Sequence, residues 1–228
     1  PGKLPALIAN IIFEASGNSE EPQVAIKAFG NTEGFSSGSK IANCTFKGFT
    51  DSAVWLEDVS SQISISSCQF VGNSALIYNS SLNGGADGGA LRLTSMPNVK
   101  ITDTIFLGNE VGNSGGAVSI KSVNKGSSVV FQQVKSAGNR AGSRGGMLSL
   151  SRNSFVNVID CQFFNDTSPL GSSIFFESSS LKGQSLDIRN SSAGNSLEGG
   201  TSIIECAAGA IDILSDSHIE GNSASAII

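Results

Sequence analysis

The chain has 228 residues, of which only 14% are charged, and 14 Lys plus Arg stand against 19 Asp plus Glu, for a net charge of −5. This acidic balance gives no electrostatic footprint for nucleic acid, so no nucleic-acid partner is expected. No apolar run reaches the roughly 20 residues that a membrane-spanning helix needs, so no membrane-spanning segment is expected. The start at Pro1, without Met or a signal peptide, and the apolar end at Ile228 favour a mature or excised fragment.

Residues 1–40 are apolar but irregular, with the stretches PALIANIIF and QVAIKAF. We expect this segment to form an N-terminal coil or a cap, because an uncapped stack of repeats exposes strand edges and core. Residues 41–228 are predicted to form regular repeats, and we expect these repeats to continue beyond the fragment.

From residue 41 onward, one phrase recurs in which Gly-Asn is followed by a Gly-Gly pair and an alternating apolar stretch. The Gly-Asn anchors are Asn73, Asn109, Asn139, Asn195 and Asn222, with Asp166 in the same place between Asn139 and Asn195, and Thr50 or Phe49 ahead of Asn73. The anchors are 24 to 36 residues apart, which is typical of a stacked solenoid.

Each anchor is accompanied by three pairs of apolar residues, and the two members of a pair are two positions apart. One complete set is Ile63 and Ile65, Cys68 and Phe70, and Leu91 and Leu93. A period of two is that of a β-strand, whereas no helical stripe is sustained anywhere. The pattern predicts an all-β right-handed parallel β-helix, a single-stranded solenoid with three short strands per coil and about seven coils.

The anchor residue has a physical cause in such a stack. At a corner, Asn tolerates a left-handed backbone, and its amide can hydrogen bond to the equivalent amide one coil away. We therefore predict a structural ladder of Asn73, Asn109, Asn139, Asn195 and Asn222. The longest spacing contains the insertion Ile77 to Asp87, which we predict to be a projecting loop.

The repeat phrase can be written as FxxN followed by GGA and an apolar strand. Its full copies are Phe70 to Asn73 with Gly88 to Ala90, and Phe106 to Asn109 with Gly115 to Ala117. This phrase resembles the repeat of the chlamydial polymorphic outer membrane proteins over roughly residues 41–228, with Ser136 and Ser192 as departures from Phe. Those proteins are autotransporter-like, and their β-helical passengers act in adhesion, which the resemblance implies for this chain.

Residues for catalysis are sparse, so we expect no enzyme activity, no metal and no cofactor. The single His, His218, is interpreted as a surface residue. Asp103 and Asp160 occupy the same slot but are placed three coils apart, roughly 14 Å by the strand spacing, which is too far for a glycosidase pair.

Cys44, Cys68 and Cys161 share one inward slot, which favours buried thiols, although Cys44 and Cys68 lie on adjacent coils where a disulfide is also geometrically allowed. A basic group clusters over two coils and either meets acidic glycans or is simply solvated. Its members are Lys121, Lys125, Lys135, Arg140, Arg144 and Arg152.

Two kinds of surface site are predicted. Asn79, in the projecting loop, and Asn43 are the best acceptors among the N-x-S/T sequons. The residues between the third apolar pairs should face outward, and the large apolar ones are predicted to bind a partner. They are Trp55, Phe175, Ile203 and Ile228.

The sequence thus predicts a secreted or cell-surface, noncatalytic module for adhesion or assembly. Its partner would be another protein, a further copy along the stack, or a glycan or host surface. One alternative is a structural subunit of an extracellular filament or a surface appendage of a unicellular eukaryote. The other is a polysaccharide-active lyase or hydrolase.

Overall fold

The computed structural model describes residues 6–16, 22–29, 38–59, 62–76, 87–96, 98–121, 128–151, 155–193 and 202–222. All regular structure within these ranges is β-strand. In this part of the chain, no helix has the length and apolar character needed to cross a bilayer.

The described residues form 26 strands. The first thirteen are β1 Leu7–Ala9, β2 Ile12–Glu14, β3 Ile26–Phe29, β4 Ser39–Ala42, β5 Thr45–Lys47, β6 Val54–Glu57, β7 Ile63–Ser66, β8 Gln69–Val71, β9 Ser74–Ala75, β10 Leu91–Thr94, β11 Asn98–Thr102, β12 Ile105–Leu107 and β13 Glu110–Val111. The rest are β14 Val118–Lys121, β15 Ser128–Gln132, β16 Lys135–Ala137, β17 Arg140–Ala141, β18 Leu148–Ser151, β19 Phe155–Ile159, β20 Gln162–Phe164, β21 Thr167–Ser168, β22 Ile174–Gln184, β23 Asp187–Arg189, β24 Ser192–Ala193, β25 Ile204–Ser215 and β26 His218–Glu220.

The strands pair only in parallel and make three sheets of 13, 8 and 5 strands. The 13-stranded sheet runs β1-β4-β7-β11-β15-β19-β22-β18-β14-β10-β6-β3, and β25 also pairs with β22. The 8-stranded sheet runs β2-β5-β8-β12-β16-β20-β23-β26, and the 5-stranded sheet runs β24-β21-β17-β13-β9.

The predicted single-stranded β-helix, with three strands per coil and three equivalent sheets, is wrong. Each complete repeat contributes four strands, as β11 to β14 do, because a two-residue strand follows the anchor. The first and fourth strands of the repeats also belong to one continuous sheet, since β22 pairs with β18 near its start and with β19 near its end. The architecture is therefore all-β and parallel. In the large sheet, the first strands of successive repeats form one half, the fourth strands form the other half, and β22 joins the two halves.

Equivalent positions of successive repeats face each other directly across each sheet. In the 8-stranded sheet, Phe46, Phe70 and Phe106 pair in register and are fully buried. Their rings are stacked, with centroids 4.8 Å and 5.0 Å apart and ring planes within 11° of parallel. The parallel register therefore turns one repeated aromatic residue into a continuous stack through the core.

The anchor residues form a second buried row, which we call the asparagine row: Asn73, Asn109, Asn139 and Asp166. Nδ2 of Asn73 donates to Oδ1 of Asn109 at 2.8 Å, and Nδ2 of Asn109 donates to Oδ1 of Asn139 at 2.9 Å. Nδ2 of Asn139 in turn donates to Oδ1 of Asp166 at 2.9 Å. Each of these oxygens also accepts the backbone N–H of the preceding row position, so the row satisfies buried backbone as well.

The row begins as predicted and differs from the predicted ladder after Asp166. Phe49, one of the two residues predicted ahead of Asn73, occupies that position, since its backbone N–H donates to Oδ1 of Asn73. After Asp166 the position belongs to Ser191, whose N–H donates to Oδ1 of Asn222 at 2.7 Å. Asn195, predicted for that position, lies outside the described residues.

Two departures from the repeat compensate each other. Ser136 replaces Phe in the aromatic stack, between Phe106 and Phe163 in the register, and Asp166 replaces Asn in the row. The Ser136 hydroxyl donates to Oδ2 of Asp166 at 2.6 Å, and both side chains are buried. Burial raises the pKa of Asp166 to about 6, while the hydrogen bonds from Ser136 and Asn139 work in the lowering direction.

The Gly-Gly pairs lead into the fourth strand of each repeat at close backbone approach. Gly115 has a φ of +74°, a conformation that L-residues rarely adopt. A Cβ on Gly116 would lie 2.1 Å from the carbonyl oxygen of Gly146. No side chain larger than hydrogen fits there.

We expect Gly116→Ala to lower the free energy of unfolding by about 2 kcal/mol or more, because the new methyl group meets backbone that cannot move aside. Gly112→Ala is the matched control, since its Cβ would meet only the Leu76 carbonyl oxygen, 3.8 Å away. That change should leave stability equal or slightly higher. Urea unfolding midpoints measure both, and equal midpoints would contradict the packing described.

Asp166 should make stability depend on pH. Its pKa in the folded protein, about 6, lies above the ordinary value of 3.8, so the folded state binds the proton more tightly. The free energy of unfolding should therefore fall as pH rises from about 4 to 6, by about 3 kcal/mol, and level off above. Asp166→Asn should remove this fall, whereas Ser136→Ala should move it to higher pH. Urea unfolding between pH 4 and 8 measures both, and a fall that persists in Asp166→Asn would assign it to another group.

Candidate functional site

Two rows of side chains line the outer face of the fourth strands, because the alternating residues of the same strands fill the core. The first row is Lys27, Trp55, Arg92, Ser119, Ser149 and Phe175. The second row is Phe29, Glu57, Thr94, Lys121, Ser151 and Glu177. Large side chains stand at both ends and small ones in the middle, which leaves a depression.

The depression is closed on one side by the turns that precede β14 and β18, where Ser114 and Arg144 form an isolated parallel bridge. Together the turns and the sheet make a groove of about 520 Å³. The turns supply Asn113, Ser114, Ser143 and Arg144, and the sheet supplies Thr94, Lys121, Ser149, Ser151, Phe175 and Glu177. We call this the serine groove.

A buried carboxylate holds one end of the serine groove in place. The Asp87 side chain is 1% exposed, and it forms an ion pair with Lys121, whose side chain is 39% exposed. Oδ1 of Asp87 also accepts Nδ2 of Asn113 at 2.9 Å and the N–H of Ser114 at 3.2 Å. One buried anion therefore positions three groove residues, and the Lys121 side chain is partly exposed to solvent.

The other end is shaped by Arg144. Its guanidinium carbon lies 4.8 Å from the centroid of the Phe175 ring, and Nη1 lies 3.8 Å from Oε2 of Glu177. Phe175 is only 3% exposed, whereas the Arg144 side chain is 43% exposed. The ring thus supports the guanidinium plane from below and leaves its edge accessible.

Beyond the groove, Trp55 lies between two cations. Nζ of Lys27 is 4.3 Å and the guanidinium carbon of Arg92 is 4.2 Å from its ring, and Nε1 donates to Oε2 of Glu57 at 3.1 Å. On Arg92's own strand, β10, two buried polar atoms have no hydrogen-bond partner in the described part of the chain: Nε of Arg92 and Oγ1 of Thr94. Because buried polar groups are normally paired, atoms of this kind mark places where water or a ligand binds.

The predicted partner-binding residues are not brought together on the surface. Trp55 is half-buried in the first outer row. Phe175 and Ile203 are buried, at 3% and 1% exposure, so the expected exposed apolar stripe is wrong for both. Phe175 is covered by Arg144, and Ile203 is out of place because Glu205, not Ile203, pairs with Phe175. Ile228 lies outside the described residues.

The two predicted sequon sites have different outcomes. Asn79 lies outside the described residues. Asn43 is exposed at a corner with a φ of +51°, and its Nδ2, the atom that a glycan would modify, donates to Oδ1 of Asn10 at 2.7 Å.

The predicted basic group divides between several surfaces. Lys121 and Arg144 both line the serine groove, whereas Arg140 lies near Glu110 at 3.6 Å and Lys135 belongs to the 8-stranded sheet. Lys125 and Arg152 lie outside the described residues. Sequence reasoning missed Asp87 as a site residue and placed it only at the end of the predicted projecting loop.

The spacing predicted for Asp103 and Asp160 is wrong. Only one strand separates them, because Thr102 pairs with Gln132 and Gln132 pairs with Ile159. Two strand spacings of about 4.8 Å put them about 9.6 Å apart. They line a second pocket, of about 460 Å³, together with Gln133 and Lys135.

The remaining candidate residues show structural roles. All four cysteines are free thiols, so Cys44 and Cys68 are not bridged, and burial raises the pKa of Cys68 and of Cys161 to about 11. Nε2 of His218 lies 2.9 Å from Oε2 of Glu220 on β26, and both side chains are 54% exposed. Within the described ranges, no group of three or more His, Cys, Asp or Glu residues is arranged to hold a metal ion.

Comparison with known proteins finds no matching family model, no matching curated protein and no matching solved structure. The likeness of the repeat to that of the chlamydial outer membrane proteins therefore stays a prediction.

We expect Asp87→Ala to destabilise the protein by about 2 kcal/mol, because Asn113 and the Ser114 N–H lose their acceptor inside the protein. Amide hydrogen exchange at Ser114 should also become faster. Glu14→Ala is the matched control: it removes a carboxylate whose partner Lys47 is equally exposed, and such surface pairs contribute little. Similar losses in both variants would argue against Asp87 as the support of the groove.

Proposed function

We propose that this chain is a noncatalytic binding module of the cell surface or extracellular space, and that the serine groove is its binding face. The observation that supports this best is the construction of the groove. Four paired strands of one sheet, β10, β14, β18 and β22, present it, a buried anion fixes one end and a buried ring supports the other. Preorganised side chains on regular strands lose little entropy when a ligand binds, which suits adhesion.

The charged groups in the groove are arranged in opposite pairs. Lys121 forms an ion pair with Asp87, and Arg144 lies beside Glu177. Both cations line the groove, where they can contact a charged ligand.

A second candidate function is a polysaccharide-active enzyme that uses Asp103 and Asp160. Their separation of about 9.6 Å by strand spacing is close to the upper end of the range for inverting glycosidases, about 6.5–9.5 Å. They share the second pocket with Lys135. The two functions use different pockets and can therefore be separated by mutation.

The test is binding of the whole chain to a panel of immobilised neutral and acidic extracellular polysaccharides, with release of reducing ends measured in parallel. We expect retention without release. Ser151→Trp should weaken retention about tenfold or more, because an indole fills the centre of the groove. The matched control is Ser64→Trp, at an outward, half-buried serine on β7, in the other half of the same sheet.

Equal retention of Ser151→Trp and wild type would place binding elsewhere. Release of reducing ends that stops in the double variant Asp103→Asn, Asp160→Asn would establish the second candidate and overturn the first.

A further inference from the structure

We infer that the serine groove binds an acidic oligosaccharide, with Lys121 and Arg144 contacting its carboxylate or sulfate groups. This inference rests on the proposed function and specifies its ligand. It follows from which hydrogen-bonding groups the groove offers and which of them the protein already uses.

Lys121 and Arg144 are each positioned by a contact within the protein and still have N–H donors available for a ligand. The buried side of Lys121 faces Asp87, so its remaining N–H donors point toward solvent. Arg144 lies over Phe175, and its contact with Glu177, at 3.8 Å, is longer than a hydrogen bond. A guanidinium group has five N–H donors in a planar fork, which matches the geometry of a carboxylate or sulfate.

The register separates the backbone positions that carry the two charged ends. Lys121 pairs with Ser151, and Ser151 pairs with Glu177, the residue beside Arg144. Two strand spacings, about 9.6 Å, therefore separate the backbone of Lys121 from that of Glu177. A ligand that reaches both cations must carry its anionic groups on an extended backbone rather than at one point.

Hydroxyl groups line the groove between the cations and on the other side of Lys121. Thr94, Ser149 and Ser151 contribute three of them, and Asn113 adds an amide. Oγ1 of Thr94 is buried and has no partner within the described residues. A sugar hydroxyl can both donate and accept, so it fits such a lining better than the backbone and apolar side chains of an acidic peptide.

The lining also argues against a peptide because it lacks a free apolar anchor. Phe175, the one aromatic residue among the groove residues, is covered by Arg144 and is 3% exposed. Peptide grooves draw most of their affinity from buried apolar side chains. The serine groove offers charge and hydroxyl groups instead.

The test is titration calorimetry of the whole chain with four probes: a heparin tetrasaccharide, tetragalacturonic acid, maltotetraose and hexaglutamate. We expect the first two to bind, with affinity that falls as salt rises, and the last two to bind at least tenfold more weakly. The stronger of the two acidic sugars identifies sulfate or carboxylate as the preferred group.

Arg144→Gln and Lys121→Gln should each weaken binding of the acidic sugars about tenfold or more, the loss expected for a charge-assisted contact. Arg140→Gln removes the same charge from a more exposed position outside the groove and should change binding less than twofold. Arg144→Gln leaves no buried charge unpaired, so it remains informative if Lys121→Gln does not fold.

Three results would overturn the inference. If maltotetraose binds as tightly as the acidic sugars, the groove does not recognise charge. If hexaglutamate binds as tightly as the acidic sugars, the ligand is an acidic peptide. In both cases a loss of binding in Ser151→Trp would leave the groove as the binding face. If the acidic sugars bind the Arg144→Gln variant as tightly as they bind the wild type, their site lies elsewhere and the inference fails. If the Ser151→Trp variant also retains polysaccharide normally, the proposed function of the groove fails as well.

Discussion

The in-register parallel pairing of equivalent strands is the constraint on which the rest of this structure depends. Each residue lies directly across from its counterpart in the neighbouring repeat, about 4.8 Å away. Only side chains that tolerate a copy of themselves at that distance can recur. Phenylalanine does so by stacking and asparagine by donating and accepting at once. The sequence phrase repeats because Phe and Asn can each interact favourably with a copy of themselves in the next repeat.

The same register explains which parts of the fold the sequence could predict. Strands such as Ile63–Ser66 and Leu91–Thr94 show the period-two pattern because one side of each fills the core. The two-residue strands, such as Glu110–Val111, are too short to show any period. The joining of the first and fourth strands depends on the long strands β22 and β25, which have no counterpart in the earlier described repeats, so those repeats could not reveal it.

The candidate site was less predictable because it depends on contacts between turns and strands far apart in the chain. Alternation correctly put Phe175 on the outer side of its strand, but the covering Arg144 comes from a turn of an earlier repeat. Asp87 is buried only because Lys121 and two residues of the next turn converge on it. Lys121 and Arg144, in contrast, could be singled out from the sequence, because they belong to a group of basic residues that clusters over two neighbouring repeats.

The asparagine row has a direction, and this makes the repeats unequal. Every amide in it donates toward the C-terminal repeat, and the last donor ends on the Asp166 carboxylate, which only accepts. The chain of amide dipoles is therefore a polar series with a terminus, and the next link starts independently at Asn222. A further repeat copied from this protein would fit on the N-terminal side of Asp166 without disturbing a donor. Inserted directly after Asp166, the Asn of the same copy would receive no side-chain hydrogen bond from the carboxylate, so the amide series would be interrupted at that point.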